Sequence, residues 1–134
     1  MSMMRKTANG NYRFSRLERR WVMLLAQRLM EEHNLLRREA LAKAWNTLRL
    51  LSALGRGETL FRYVKEDGTL RQARGTLARG VSQAFDEYKS IGGRPPRDNS
   101  NTDGTYVYWD LDAGDFRSFR AERLAGRITL IVNR

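Results

Sequence analysis

Two stretches in the second half of the chain each read as strand, tight turn, strand, and this pairing constrains the fold more than any other feature. The first is Phe61-Arg-Tyr-Val-Lys-Glu-Asp-Gly-Thr-Leu-Arg-Gln-Ala-Arg-Gly-Thr76. The second is Tyr106-Val-Tyr-Trp-Asp-Leu-Asp-Ala-Gly-Asp-Phe-Arg-Ser-Phe-Arg120. Asp67-Gly68 is a strong two-residue hairpin signal, because the turns that match strand twist need positive φ, which aspartate and glycine tolerate. With those two residues at the tip, Lys65 faces Leu70, Val64 faces Arg71, Tyr63 faces Gln72, Arg62 faces Ala73 and Phe61 faces Arg74. Opposite residues share a face. Neither face is purely apolar, so one is expected to pack and the other to meet solvent or a ligand.

In the second stretch Val107, Trp109 and Leu111 alternate with Tyr106, Tyr108 and Asp110, which predicts a strand from Thr105 to Leu111. Asp112 to Asp115 makes the turn and Phe116 to Arg120 the next strand, while Arg127 to Val132 is a further strand apolar enough to be central. Five short strands with glycine-containing turns argue for a small barrel, whose full closure would remove exposed sheet edges. Val81 to Tyr88 is ambiguous between a short helix and a strand. Gly92 to Gly104 is a long polar loop by its glycine, proline and asparagine content, and such loops are often mobile or functional.

Before the strands the period is helical. Residues 1–14 are polar and unpatterned, which suggests a flexible arm. Ser15 with Glu18 three residues on forms a capping box. Leu17, Trp21, Leu24, Leu25 and Leu29 then recur at the spacing of a buried stripe. His33-Asn34 reads as a break or kink, though glutamates and leucines on both sides could carry one helix through. A second helix carries Leu41, Ala44, Trp45, Leu48, Leu51 and Leu54 on one face and ends at Gly55-Arg-Gly57. Two amphipathic helices with a short connection suggest an antiparallel hairpin over 15–56, with Trp21 and Trp45 as its anchors in the core. The connection lacks the glycine of a helix-turn-helix DNA reader, and no third supporting helix is evident.

The organisation expected is therefore α+β: an arm over 1–14, the helical hairpin, and a small β-barrel of about five strands over 57–134, which forms one compact unit with the helices. At 134 residues the chain is long enough for a core without metal or disulfides. It has no cysteine, which excludes thiolate nucleophiles and zinc-thiolate sites. No apolar run approaches the roughly 20 residues of a membrane span, and Met1 to Asn11 lacks an apolar signal core. A cytoplasmic protein with no membrane partner is the expectation.

The net charge is +10, and only four of the 25 basic residues are lysine, which leaves 21 arginines. A surplus of this size favours polyanions, since binding releases their condensed counterions. Arginine adds a planar fork that grips phosphate bidentately and stacks on aromatic rings. The surplus is expected on the strands that also carry aromatics.

The pattern Tyr63, Lys65, Asp67-Gly68-Thr69, Arg71, Ala73, Gly75-Thr76, followed by Tyr108, Asp110-Leu111 and Phe116-Arg117-Ser118-Phe119-Arg120, resembles a family of small WYL-related proteins with an Sm-like, SH3-type barrel. The resemblance covers 58–132. It implies the barrel fold, and related WYL domains act as regulatory ligand-sensing modules whose suggested ligands include nucleic acids and nucleotides. The namesake tripeptide is not found as such; the chain has Tyr108-Trp109-Asp110-Leu111 in its place.

Catalysis has little to stand on. His33 is the single histidine, and with no cysteine the common nucleophile–base pairs are missing. Asp110, Asp112 and Asp115 lack EF-hand spacing and are better explained by turn chemistry. Asp110 is placed to pair with Arg117 or Arg120 across its hairpin. Neither Gly55-x-Gly57 nor Gly92-Gly93 makes a phosphate loop. The expectation is thus no catalytic residue, no metal and no cofactor.

Binding has candidates: Arg62, Arg71, Arg74, Arg117 and Arg120 as phosphate contacts, and Tyr63 and Tyr108 as stacking platforms of the kind small barrels offer single strands. Phe61, Trp109 and Phe119 read as core. The favoured function is non-enzymatic, non-specific nucleic-acid binding. The alternative is a WYL-like regulatory module that senses a small anion such as a nucleotide or docks an acidic protein. Edge pairing of Sm-like barrels would allow a homo-oligomer.

Overall fold

The structure is a computed structural model, and it describes residues 5–6 and 12–131. Its elements run β1 (Arg5–Lys6), β2 (Tyr12–Arg13), α1 (Arg16–His33), α2 (Arg37–Leu54), β3 (Thr59–Val64), β4 (Leu70–Thr76), α3 (Gln83–Ser90), β5 (Thr105–Asp110), β6 (Asp115–Arg120), a 3₁₀ turn (Ala121–Arg123) and β7 (Leu124–Leu130). The ambiguous segment after Val81 is the helix α3, capped by Ser82, whose hydroxyl accepts from the Phe85 N–H at 3.3 Å. β1 and β2 pair antiparallel, with Lys6 opposite Tyr12, where the sequence suggests a loose arm. The remainder of that arm up to Asn11, and Val132 of the last expected strand, lie outside the described residues.

α1 begins as its sequence dictates. Ser15 Oγ accepts from the Glu18 N–H at 3.1 Å, and Glu18 Oε1 accepts from the Ser15 N–H at 2.9 Å. Its buried stripe is rotated from the leucine pattern: Glu18, Trp21, Val22, Leu25, Ala26 and Leu29 face inward, while Leu17 and Leu24 are 71% and 46% exposed. The capping box holds the Glu18 carboxylate on this inward side through Oε1. Asn34 then breaks the helix in the left-handed region, at φ 54°. α2 follows antiparallel and is buried on most of its circumference, since α1 covers one side and β3, β7 and the 3₁₀ turn cover the other.

The five strands β3 to β7 form one antiparallel sheet in the order β6-β5-β4-β3-β7. Flat, β6 and β3 would lie three strand spacings or about 14 Å apart. Phe119 on β6 nevertheless stacks 5.7 Å from Phe61 and 6.1 Å from Tyr63 on β3, so the sheet is curled into a small barrel. Phe61, Tyr63, Tyr106, Tyr108 and Phe119 fill its interior, and the helices close one end with Leu25, Leu29, Leu48 and Leu54. Among the described residues no ladder joins β6 to β7; the 3₁₀ turn spans the seam.

The first hairpin has a different register from the expected one. Tyr63 pairs with Arg71, Arg62 with Gln72, Phe61 with Ala73 and Leu60 with Arg74. The loop is one residue longer than a two-residue turn. Gly68 at φ 87° donates to the Lys65 carbonyl at 2.9 Å, and Lys65 donates to the Thr69 carbonyl at 2.8 Å, which is a type I turn closed by a glycine bulge. Arg71 therefore shares the inner face with Phe61, Tyr63 and Ala73, whereas Arg62, Gln72 and Arg74 face outward.

β4 crosses the core at Gly75. A Cβ there would lie 2.5 Å from Tyr108 Cδ2 and 3.1 Å from the Trp109 carbonyl oxygen. Gly75→Ala is expected to lose about 1–3 kcal/mol in urea unfolding, the usual cost of overpacking. Gly57→Ala, whose Cβ would meet nothing closer than 3.6 Å, serves as the control. Equal stability of the two variants would refute the close approach.

Candidate anion-binding cleft

The mouth of the barrel is organised around one carboxylate. Asp110 ends β5 and is 1% exposed. Its Oδ1 accepts from the Asp112 and Ala113 N–H groups, both at 2.9 Å, and so closes the turn into β6. Its Oδ2 accepts from Arg71 Nη2 at 2.5 Å and lies 3.4 Å from Arg117 Nε. The Tyr108 hydroxyl donates to the same oxygen at 3.5 Å and sits 2.9 Å from the Tyr63 hydroxyl. Burial alone would raise the Asp110 pKa; the Ala113 N–H, Arg71 and the Asp112 N–H together outweigh it and hold the carboxyl below its ordinary value. Burial, reinforced by Tyr63, pushes the Tyr108 hydroxyl up.

Tyr63 and Tyr108 are thus 7% and 0% exposed and closed in by Phe61 and Phe119. They are core residues and offer no stacking platform. Phe61, Trp109 and Phe119 are buried as expected, Trp109 beneath Phe85 and Tyr88 of α3. Trp21 is buried as an anchor, and the half-buried Trp45 packs on Phe14, 4.6 Å away.

Next to this mouth lies a cleft of about 590 Å³. It runs along β6 from Phe116 to Arg120 and is walled by the end of β3 and its turn, by Pro96 and Arg97, and by Arg123. Six cations line it, Lys65, Arg71, Arg97, Arg117, Arg120 and Arg123, against the single lining carboxylate Glu66. Four of the six are held by carboxylates behind them. Arg71 and Arg117 share Asp110, Arg97 pairs with Asp103, and Arg120 Nε is 3.0 Å from Glu122, which also meets His33 Nε2 at 3.2 Å. Arg120 therefore pairs with Glu122, not with Asp110. Of the aromatics that line the cleft, Tyr63 and Phe119 are buried and Phe116 is half-buried.

The five arginines singled out in the sequence do not converge. Arg71, Arg117 and Arg120 belong to the cleft. Arg62 and Arg74 lie on the opposite, outward face beside Arg127, and Arg74 is bridged to Asp112 at 3.1 Å and Glu58 at 3.5 Å. Lys65, Arg97, Arg123 and Phe116 were not among the binding candidates, although Lys65 and Phe116 stand in the pattern that carries the family resemblance. Arg97 had one available signal, its place after Pro95-Pro96 in the long loop. That loop is fastened at several points: Asn99 exchanges two hydrogen bonds with the Val107 backbone, at 2.8 and 2.9 Å. Trp21 Nε1 donates to the Ser100 and Asn101 carbonyls, both at 3.0 Å.

A curled five-stranded antiparallel sheet with a 3₁₀ turn at its seam and a helical cover defines a small barrel protein of the SH3 type. The chain belongs to the WYL_2 family, described as an Sm-like SH3 β-barrel fold, whose model matches residues 47–125 and so begins within α2. No curated protein and no solved structure matches the chain. No described helix is long and apolar enough to cross a membrane, and the described residues contain no cluster of three or more potential metal ligands from histidine, aspartate and glutamate.

Proposed function

We propose that the protein is a non-enzymatic, regulatory nucleic-acid-binding module, and that the cleft along β6 takes phosphates of the bound strand. The observation that carries this reading is the lining of the cleft, six cations with one carboxylate, beside the half-buried ring of Phe116. Arg71 is a structural member of that set, tied to Asp110 inside the barrel; Lys65 and Arg123 have no carboxylate partner among the described residues, and Arg117, 47% exposed, meets Asp110 through Nε at 3.4 Å.

The test is a mobility-shift assay with single-stranded DNA, duplex DNA and RNA at two salt concentrations. Arg117→Gln with Arg123→Gln is expected to weaken binding and lower the slope of log affinity against log salt by about 1.4 for a single strand, from roughly 0.7 per phosphate contact. Absence of binding by the wild type at low salt overturns the reading.

A second reading, a sensor for a small anion such as a nucleotide, is supported by the concavity itself. Its volume lies within the roughly 300–1,000 Å³ range of small-ligand sites. A thermal-shift series with nucleotides that raises the midpoint at micromolar concentration, without oligonucleotide binding, would favour it.

A further inference from the structure

The positive surplus does not reside where the strand arginines suggest. Through Gly57 the chain has twelve basic residues against four acidic ones; after it, thirteen against eleven. The first 14 residues carry +3 of the net +10, the helical hairpin from Ser15 to Gly57 carries +5, and the barrel carries +2.

The ion pairs sharpen the contrast. In the barrel, the strand and loop arginines Arg71, Arg74, Arg97, Arg117 and Arg120 have carboxylate partners, while among the described residues Arg62, Lys65, Arg79, Lys89, Arg94, Arg123 and Arg127 have none. On the helices, Arg16, Arg19, Arg20, Arg37, Arg38, Arg49 and Arg56 are exposed, and none of them has a carboxylate partner among the described residues. Of the helical carboxylates, Glu18 is buried in its capping box and Glu32 is taken by Arg28.

The arginines also break a local rule. Arg16, Arg19 and Arg20 open α1, and Arg37 and Arg38 open α2. Cations at a helix N-terminus oppose the helix dipole, whereas acidic residues there would stabilise it. Local rules are broken mostly at functional sites, and phosphates laid against these positions would remove the penalty.

We propose that the solvent-facing surface of the α1–α2 hairpin is a second, principal nucleic-acid surface, contacting the phosphate backbone with Arg16, Arg19 and Arg20. It rests on the nucleic-acid reading above and places more of the electrostatic attraction on the helices than on the barrel, with the cleft gripping locally. Backbone phosphate is the recognised chemistry, common to single and double strands. An anionic membrane fits less well. A membrane-surface helix needs a broad apolar face, and α1 has committed its apolar stripe to the core, leaving Leu17, Met23 and Leu24 as the large apolar side chains it exposes.

The experiment compares the full chain with two variants, Arg16→Gln/Arg19→Gln/Arg20→Gln and Lys65→Gln/Arg117→Gln/Arg123→Gln, each of which removes three charges. Fluorescence anisotropy is read with a 20-base duplex, a 20-base single strand and phosphatidylserine vesicles over a salt series. The helix variant is expected to lower the salt slope by about 2–3, from roughly 0.9 per phosphate contact on duplex and 0.7 on a single strand. The barrel variant should lower it by less. The helix variant should also melt at a higher temperature, because its cations no longer oppose the dipole. An unchanged slope in the helix variant alongside a lowered one in the barrel variant overturns this inference and leaves the nucleic-acid reading standing. Wild type that binds neither oligonucleotide overturns both. Tighter binding to vesicles than to either oligonucleotide replaces nucleic acid with a membrane surface.

Discussion

Asp110→Ala is expected to cost about 3–5 kcal/mol, the typical loss when one partner of a buried ion pair is removed. For a domain of this size that corresponds to a fall of about 10–20 °C in the thermal midpoint. The side chain is 1% exposed, and its removal strands Arg71, whose Nε is already buried without a partner. It also frees the Asp112 and Ala113 N–H groups that shape the β5–β6 turn. Asp110→Asn keeps an acceptor for that turn and should recover part of the loss. The pH dependence has a definite sign. The folded pKa lies below the ordinary one, so the carboxylate's contribution is complete above the unfolded value of about 3.9 and is lost as pH falls through the folded value. The gap between wild type and Asp110→Asn should accordingly narrow below about pH 4. A constant gap from pH 3 to pH 7 would show that the charge of Asp110 is not what stabilises the mouth.

Phe61→Ala should be comparably severe, at about 3–5 kcal/mol. Phe61 is 2% exposed, and its ring meets Tyr108 edge-on at 4.9 Å and Phe119 at 5.7 Å. Truncation removes the piece that joins β3 to β5 and β6 across the barrel, and the surrounding rings are too large to close the void. Phe61→Leu should lose far less. Chemical denaturation that finds the two variants alike would mean that the interior relaxes and that this ring is not central to it.

Much of the fold was legible because it is written in local chemistry. The Ser15–Glu18 box, the break at Asn34 and the strand alternation of Tyr106 to Asp110 each depend on residues within a few positions of one another. Long-range facts were not legible. Asp67-Gly68 suits a two-residue turn and also a longer one with a glycine bulge, and a one-residue difference changes every pairing. That shift put Arg71 inside and Arg74 outside. The Arg71–Asp110 pair joins residues 39 positions apart, which no spacing rule reaches. Period-two alternation showed that Tyr63 shares a face with Phe61 and Tyr108 with Tyr106, but it does not say which face closes on the helices. The leucines of α1 could mark a stripe in more than one rotation, and the one the structure takes has the capping carboxylate of Glu18 buried.

The two hydrogen bonds from the Trp21 indole to the loop carbonyls bear on how the cleft meets a ligand. The segment that carries Arg97 is fastened to the first helix as well as to β5, so it takes its shape when the helices pack. Conformational freedom that a loose loop would surrender on binding is surrendered here at folding, and a strand arriving at the cleft finds its wall already set. The helix that presents the unpaired arginines and the loop that presents Arg97 are thereby parts of one frame, tied together by the Trp21 indole.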